Sequence, residues 1–253
     1  MRRFFIHPDE IVKIHPSISG SEARHMARVL RMSFGKQVLL FDGTGKEYEA
    51  LISGISSQKV EFNILREIPL KSESEIELIC AQAYLKDKKM DLLSRQLTEL
   101  GVSTWIPFIS DHSIPKPTST RFALRKERWE KITIEAMKQC RRRTPLRITA
   151  LFSFDECLEY GKPFTHKILF WEKEQRSIHP DAGELVNPPK QIMVILGPEG
   201  GFSDQEVKKA TSFGFSIASL GPRILKAETA AVASCVLIQY LFGDMGQKVI
   251  DKK

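Results

Sequence analysis

Apolar runs and alternating stretches divide the chain into short strands and longer helices. Ile192-Met193-Val194-Ile195-Leu196 is apolar throughout and rich in β-branched side chains. That is the pattern of a strand covered on both faces, as in a parallel sheet. It breaks at once into Gly197-Pro198-Glu199-Gly200-Gly201, and Ser203 with Glu206 three residues on predicts a capping box opening a helix. Residues 215–220 alternate as a second short strand, and an apolar helix follows over 230–242. Leu-Gly-Pro therefore closes two strands, at 196–198 and 220–222. Two adjacent parallel strands ending in matching turns would form two walls of one pocket.

Further upstream, residues 77–83 read as a strand. Met90, Leu93, Leu97 and Leu100 recur at helical spacing, with Gly101 as the C-terminal cap. Strands follow over 102–109, 146–152 and 167–171. Between the first two lies a helix over 121–142, with Trp129, Ile132, Ala136 and Cys140 on its apolar face and Pro145 beyond its end. Alternating strands and helices predict an α/β domain over 71–253, a mostly parallel sheet with helices on both faces. Residues 1–70 differ. A short helix over 21–31 with a serine at its start precedes a hairpin, 38–41 and 47–52 about Asp42-Gly43-Thr44-Gly45, and a further strand over 59–64. Strands this short and close predict a small β-barrel. Residues 66–75, with Pro69 and a polar run, form the linker.

A length of 253 residues suits one large or two modest domains with ample core. The net charge of +7 is unremarkable by itself, but residues 116–147 hold eleven Lys or Arg against three Glu, an excess greater than that of the whole chain. A concentrated basic stripe is the electrostatic footprint of nucleic-acid binding. The four cysteines are far apart in sequence, with no C-x-x-C pair and no His at metal-ligand spacing, so no metal site is expected. Free thiols fit a reducing cytoplasm. The N-terminus lacks the apolar run of a signal peptide. The helix over 230–242 is too short to span a bilayer and is interrupted by Gln239, so no membrane association is expected.

The glycine loop has neither the G-x-G-x-x-G spacing of a dinucleotide site nor the Lys-Ser/Thr of a triphosphate loop. Glu199 in its midst repels phosphate and favours a ligand with positive charge or hydroxyls. The alternative is a tight turn that serves only the fold. Arg24, Arg28 and Arg31 fall on one face of the short helix, which by itself reads as a solvated face. Arg141, Arg142 and Arg143 complement the dipole at the end of the 121–142 helix. Three in a row exceed what capping needs, and the guanidinium is shaped for phosphate.

Leu-Gly-Pro-Glu-Gly-Gly-Phe-Ser at 196–203, followed by Leu-Gly-Pro-Arg-Ile-Leu-Lys-Ala-Glu-Thr-Ala at 220–230, resembles the bacterial 16S ribosomal RNA uridine-N3 methyltransferase family, often called RsmE, of the SPOUT superfamily. Thr98-Glu99-Leu100-Gly101-Val102, Arg28-Val29-Leu30-Arg31 and Phe41-Asp42-Gly43 extend the resemblance along nearly the whole chain. It implies a knotted SPOUT sheet behind a PUA-like RNA-binding barrel, and S-adenosylmethionine as methyl donor. The donor would sit among Phe170, Trp171, Glu172, Leu196, Gly197, Pro198, Glu199, Gly200, Gly201, Leu220, Gly221, Ile224, Leu225, Thr229 and Ala230. From residues alone, Trp171 reads as core or strand-end packing. Gly200→Val is expected to fill the space the bare backbone leaves for the ligand.

The acceptor implied is uracil N3 in the RNA of the small ribosomal subunit. Its imide proton must leave before the nitrogen attacks. Arg223 is the candidate cation, and Glu199 and Glu228 are candidate proton acceptors or orienters, although Glu228 also suits the first turn of the last helix. The RNA contacts would be Arg24, Arg28, Arg31, Arg141, Arg142 and Arg143. A helix as apolar all round as 229–238 must be buried on every side. A second subunit is the economical cover, as in SPOUT homodimers; the rival is a monomer covered by the 121–142 helix. Three positions depart from the family: Arg95-Gln96 replaces Gln-Lys, His112 precedes Ser113 where Arg is usual, and Lys226 stands for Arg. The other functional readings are methylation of a ribose 2′-hydroxyl and a non-catalytic RNA-binding assembly factor.

Overall fold

The computed structural model describes residues 1–69, 76–86, 88–114, 116–178 and 189–246. Of the linker expected over 66–75, residues 66–68 instead continue the strand that begins at Lys59, and residues 70–75 lie outside the described residues. Two compact units are present, Met1–Ser72 with Ile134–Pro145, and Glu73–Thr133 with Leu146–Lys253. Residues 134–145, which the strand–helix pattern put in the second domain, therefore pack with the first.

The first unit is built on β1 (Arg2–Phe5), α1 (Pro8–Ile11), β2 (Ser17–Ser19), α2 (Gly20–Arg24), β3 (Gln37–Phe41), β4 (Glu47–Ile55) and β5 (Lys59–Ile68). The sheet order is β1-β3-β4-β5-β2, with β1 parallel to β3 and the remaining pairs antiparallel. The small barrel is thus a curled half-barrel with β1 and β2 as edges. The predicted hairpin is β3–β4, and Asp42 closes its turn by accepting from both the N–H and the hydroxyl of Thr44 at 2.8 Å. Phe4, Val38, Leu40, Ala50, Ile52, Val60 and Phe62 alternate inward to make its core.

The helix expected over 21–31 is interrupted. After α2 the chain takes a π-helical turn, His25–Val29, closed by Leu30 N–H on His25 O at 2.9 Å. This wider turn breaks the α-helical phase. Arg31 follows with a left-handed φ of 49°, outside the helix. Arg24, Arg28 and Arg31 do not share one helical face, although all three are exposed. Ser19 takes the N-cap position and makes no side-chain cap.

Residues 134–145 join this unit through a buried ion pair and through backbone carbonyls held by a buried arginine. Arg3 donates to Glu47 and to the carbonyls of Met137 and Arg142. Arg143 lies 3.0 Å from the other Glu47 oxygen and donates to Pro69 O at 3.1 Å.

The second unit comprises β6 (Glu77–Ala83), α3 (Lys89–Glu99), β7 (Thr104–Ile109), α4 (Ser119–Cys140) as far as Thr133, β8 (Arg147–Ile148), β9 (Phe152–Ser153), α5 (Phe154–Tyr160), β10 (His166–Phe170), β11 (Gln191–Leu196), α6 (Asp204–Ser212), β12 (Ser216–Ala218) and α7 (Ala227–Leu241). Its sheet is parallel, in the order β12-β10-β11-β6-β7-β8, with β9 also pairing with β7. Residues 146–152 hold no single strand; β8 and β9 are two-residue pieces separated by an irregular stretch. Leu78, Cys80, Ile192, Val194 and Leu196 pack toward α3, Trp129 and α7. Ile79, Ala81, Ala83, Met193 and Ile195 pack toward α5 and α6. Both strand faces are buried, which is why these sequences read as continuous apolar runs.

Gly101, at φ 73°, follows the end of α3, and the capping box of Ser203 and Glu206 opens α6. α7 buries Ala231, Ser234, Cys235, Ile238 and Gln239. Its opposite face is only half covered at Val232, Ala233, Val236 and Leu237, and Tyr240 is 63% exposed. The chain therefore does not bury this helix on every side by itself. Among the described residues no helix is long and apolar enough to cross a membrane.

Candidate active site

β11 and β12 are not neighbours, as the doubled Leu-Gly-Pro had suggested. β10 lies between them and pairs with both. Because the three strands are parallel, their C-terminal ends lie at one edge of the sheet, where α/β folds bind ligands. The three following loops line a cleft of about 1000 Å³. Every predicted cofactor residue lines it except Thr229, which is exposed in the first turn of α7.

The glycine loop is shaped by close approaches on two sides. Gly201 has a φ of 69°, and a Cβ there would lie 2.5 Å from Glu172 Oε1. A Cβ on Gly200 would lie 2.9 Å from the Cβ of His112, so a side chain at Gly200 strikes the 110–113 segment and not the ligand space. That segment is stitched to the loop. His112 Nδ1 lies 3.0 Å from Gly200 O, Asp111 N–H donates to Glu206, and Ser203 Oγ donates to Asp111 Oδ2 at 2.7 Å. Beneath it, fully buried Gln82 donates from Nε2 to Gly197 O at 2.9 Å. Trp171 Nε1 is buried without a hydrogen-bond partner among the described residues.

Lys89, at the start of α3, also lines the cleft, and nothing in the sequence marked it. Its Nζ lies 2.9 Å from Glu199 Oε1 and 3.3 Å from Glu228 Oε2. Glu199 also accepts from the backbone N–H of Lys86 at 3.1 Å. Burial pulls the Glu199 carboxyl upward, but the Lys89 ammonium and backbone donors outweigh it and leave the pKa lowered. The hydrogen bond to Glu199, and secondarily the one to Glu228, raises the Lys89 pKa. Both acids proposed as proton acceptors thus share one ammonium. Glu228 does not line the cleft; its carboxylate is tucked beside Lys89 with 19% of the side chain exposed. Arg223 lies exposed on the third loop with no ion-pair partner among the described residues. Lys226 also lines the cleft, whereas Gln96 is half-buried on α3 with its Oε1 unpartnered.

The arginine run 141–143 is not an exposed cluster at a helix end. α4 stops at Cys140, and Arg141 turns away with a φ of 65° and is exposed. Arg142 is half-buried, and Arg143, with 12% of its side chain exposed, is held by Glu47. Among the described residues no group of three His, Cys, Asp or Glu is placed to hold a metal.

Residues 72–239 match the family model described as "RNA methyltransferase domain", and residues 18–65 match "RNA methyltransferase PUA domain". The Ribosomal RNA small subunit methyltransferase E of Aquifex aeolicus is 32% identical over 195 residues, covering 75% of this chain and 79% of the relative. The chain belongs to this methyltransferase family. The family member of Bacillus subtilis is 29% identical over 247 residues, covering 95% of this chain and 96% of its own. A solved structure of the family enzyme from Neisseria gonorrhoeae, bound to S-adenosyl methionine, superimposes with a TM-score of 0.82 at 28% identity, covering 97% of this chain and 99% of that one.

Proposed function

We propose that this protein transfers a methyl group from S-adenosylmethionine to N3 of a uridine in the 16S RNA of the small ribosomal subunit. The observation that carries the reading is the meeting of three parallel strand-end loops on one cleft, in a chain of this family. The cleft fits the donor. Its volume is that of a small-molecule site, its floor is bare glycine backbone, and it has an orphaned indole donor at Trp171 and carboxylates to face a cation. Backbone groups of residues 196–201 and 220–225 would hold the donor, with Phe170, Trp171 and Glu172 closing the third side. The donor supplies an electrophilic methyl group on a sulfonium.

The chain supplies position and charge. Uracil N3 attacks only after its proton has left, so the unpaired Arg223 guanidinium is assigned to stabilise the imidate. Glu199 and Glu228 act as orienters on this reading. Glu199, hydrogen-bonded to the Lys89 ammonium with its pKa lowered, is a weak proton acceptor, and Glu228 does not line the cleft, so the proton goes to solvent. N3 lies on the pairing edge, which requires an unpaired or extruded base. The half-barrel unit reads RNA, with Arg24, Arg28, Arg31 and Arg141 as its outward cations. The exposed side of α7 favours a homodimer, and rRNA as substrate together with four free thiols favours the cytoplasm.

The deciding experiment supplies methyl-labelled donor and small subunits lacking the modification, then digests the RNA to nucleosides. Label in N3-methyluridine, lost in Arg223→Ala and partly kept in Arg223→Lys, is expected. Label on a ribose 2′-oxygen, or none at all, overturns the assignment.

A further inference from the structure

The first unit displays an aromatic ring amid unpaired cations. Phe34 is 75% exposed on the connection between the π-helical turn and β3, and Val29, the last residue of that turn, is 66% exposed. The backbone holds the ring out. Met32 N–H donates to Met26 O at 3.0 Å, Lys36 N–H to Ser33 O at 3.2 Å and Gly35 N–H to Ile52 O at 2.9 Å. Gly35 supplies the left-handed φ of 76° that the turn requires. An exposed phenylalanine on a fixed turn leaves apolar area in water with no benefit to this unit's core.

The charges around it are lopsided. Every described glutamate of this unit has a lysine or arginine within ion-pair distance. Arg24, Arg28, Arg31 and Lys36 have no acidic partner among the described residues, and all four are exposed. Arg31 and Lys36 flank Phe34 in sequence, and three residues of chain hold the Cα atoms of Arg31 and Phe34 within about 11 Å. An outward ring flanked by free cations matches a single-stranded nucleotide: its base has a π-face to stack, and its phosphates are anionic.

We propose that Phe34 is a stacking platform for an unpaired base of the RNA, with Arg28, Arg31 and Lys36 holding the phosphates on either side. This rests on the reading that RNA is the substrate, and it adds the structural class of the segment bound, a single strand.

The test uses the full chain with a single-stranded oligoribonucleotide carrying 2-aminopurine, the same sequence as a duplex, and intact small subunits. Phe34→Ala should weaken single-strand binding about tenfold, abolish the stacking quench of the fluorophore, and leave duplex binding and the salt slope unchanged. Phe34→Trp should restore both. Replacing Arg28, Arg31 and Lys36 with Ala should lower the salt slope by about two, from ~0.7 per phosphate contact. Equal loss on single strand and duplex, or an unaltered quench in Phe34→Ala, overturns the platform. So does weakened binding to small subunits with unchanged binding to free RNA, which would mean that the ring docks on protein. A wild type that binds no RNA and transfers no methyl group refutes the functional reading itself, and that outcome is read without any variant.

Discussion

Replacing Lys89 with methionine tests the charge arrangement at the cleft most directly. The substitution keeps the length of the stem and removes the ammonium that lies 2.9 Å from Glu199 and 3.3 Å from Glu228. About 29% of the Lys89 side chain is exposed, so the pairs fall between surface pairs, worth up to ~1 kcal/mol, and buried ones, where losing one partner costs ~3–5. Two pairs of intermediate exposure put the loss at about 2 kcal/mol. Two carboxylates are then left beside each other at the junction of the glycine loop and α7. Denaturant unfolding should show that loss of about 2 kcal/mol in stability, and Lys89→Arg should recover most of it.

The pH dependence gives a second readout. In the wild type the folded pKa of Glu199 lies below its ordinary 4.5, so its contribution is present above 4.5 and is lost as pH falls through the folded value. The Lys89 pKa is raised above its ordinary 10.5, so its contribution is present below 10.5 and is lost as pH rises through the folded value. The melting-temperature gap between wild type and Lys89→Met should therefore be widest between these limits and shrink in acid. A gap that stays constant below pH 4.5, or an arginine variant no better than methionine, would refute the reasoning.

Gly200→Val should weaken donor binding by driving the loop off His112, and His112→Gly, by vacating that contact, should partly rescue it in calorimetry. Arg143→Ala should cost about 3 kcal/mol in denaturant unfolding because it strips a partner from buried Glu47, whereas Arg141→Ala should leave stability unchanged and lower the RNA salt slope by slightly less than one. Val236→Glu, on the half-covered side of α7, should convert a dimer into folded single chains by light scattering; a wild type with the mass of one chain at micromolar concentration rules the dimer out.

What was legible in the sequence was written in neighbouring residues. The β11 run, the glycine loop and the Ser203–Glu206 box each occupy a few consecutive positions whose chemistry fixes their conformation. The doubled Leu-Gly-Pro located two walls of the cleft but not the order of the strands, because sheet order depends on long-range pairing that leaves no local periodicity. Lys89 was missed for the same reason: its partners lie more than a hundred residues away, and a lysine at the start of a helix has no distinguishing neighbours. The π-helical turn at His25–Val29 inserts one residue into a pattern that reads as continuous helix, so the shared arginine face was an artefact of assuming the α period. Arg143 looked like surface charge because its counter-charge, Glu47, belongs to a strand far upstream.

The Arg3–Glu47–Arg143 cluster also sets a timetable for synthesis. A ribosome finishes β5 long before it makes Met137, Arg142 and Arg143, which supply the carbonyls and the second guanidinium that the Arg3–Glu47 pair requires. At ~5–20 residues per second the nascent half-barrel waits about 4–15 s with that pair incompletely satisfied. A fragment ending near residue 70 would remain in that condition permanently. The gene segment for this unit is therefore not a detachable module: any recombination that exchanges the N-terminal sheet alone must bring the distant stretch 134–145 with it.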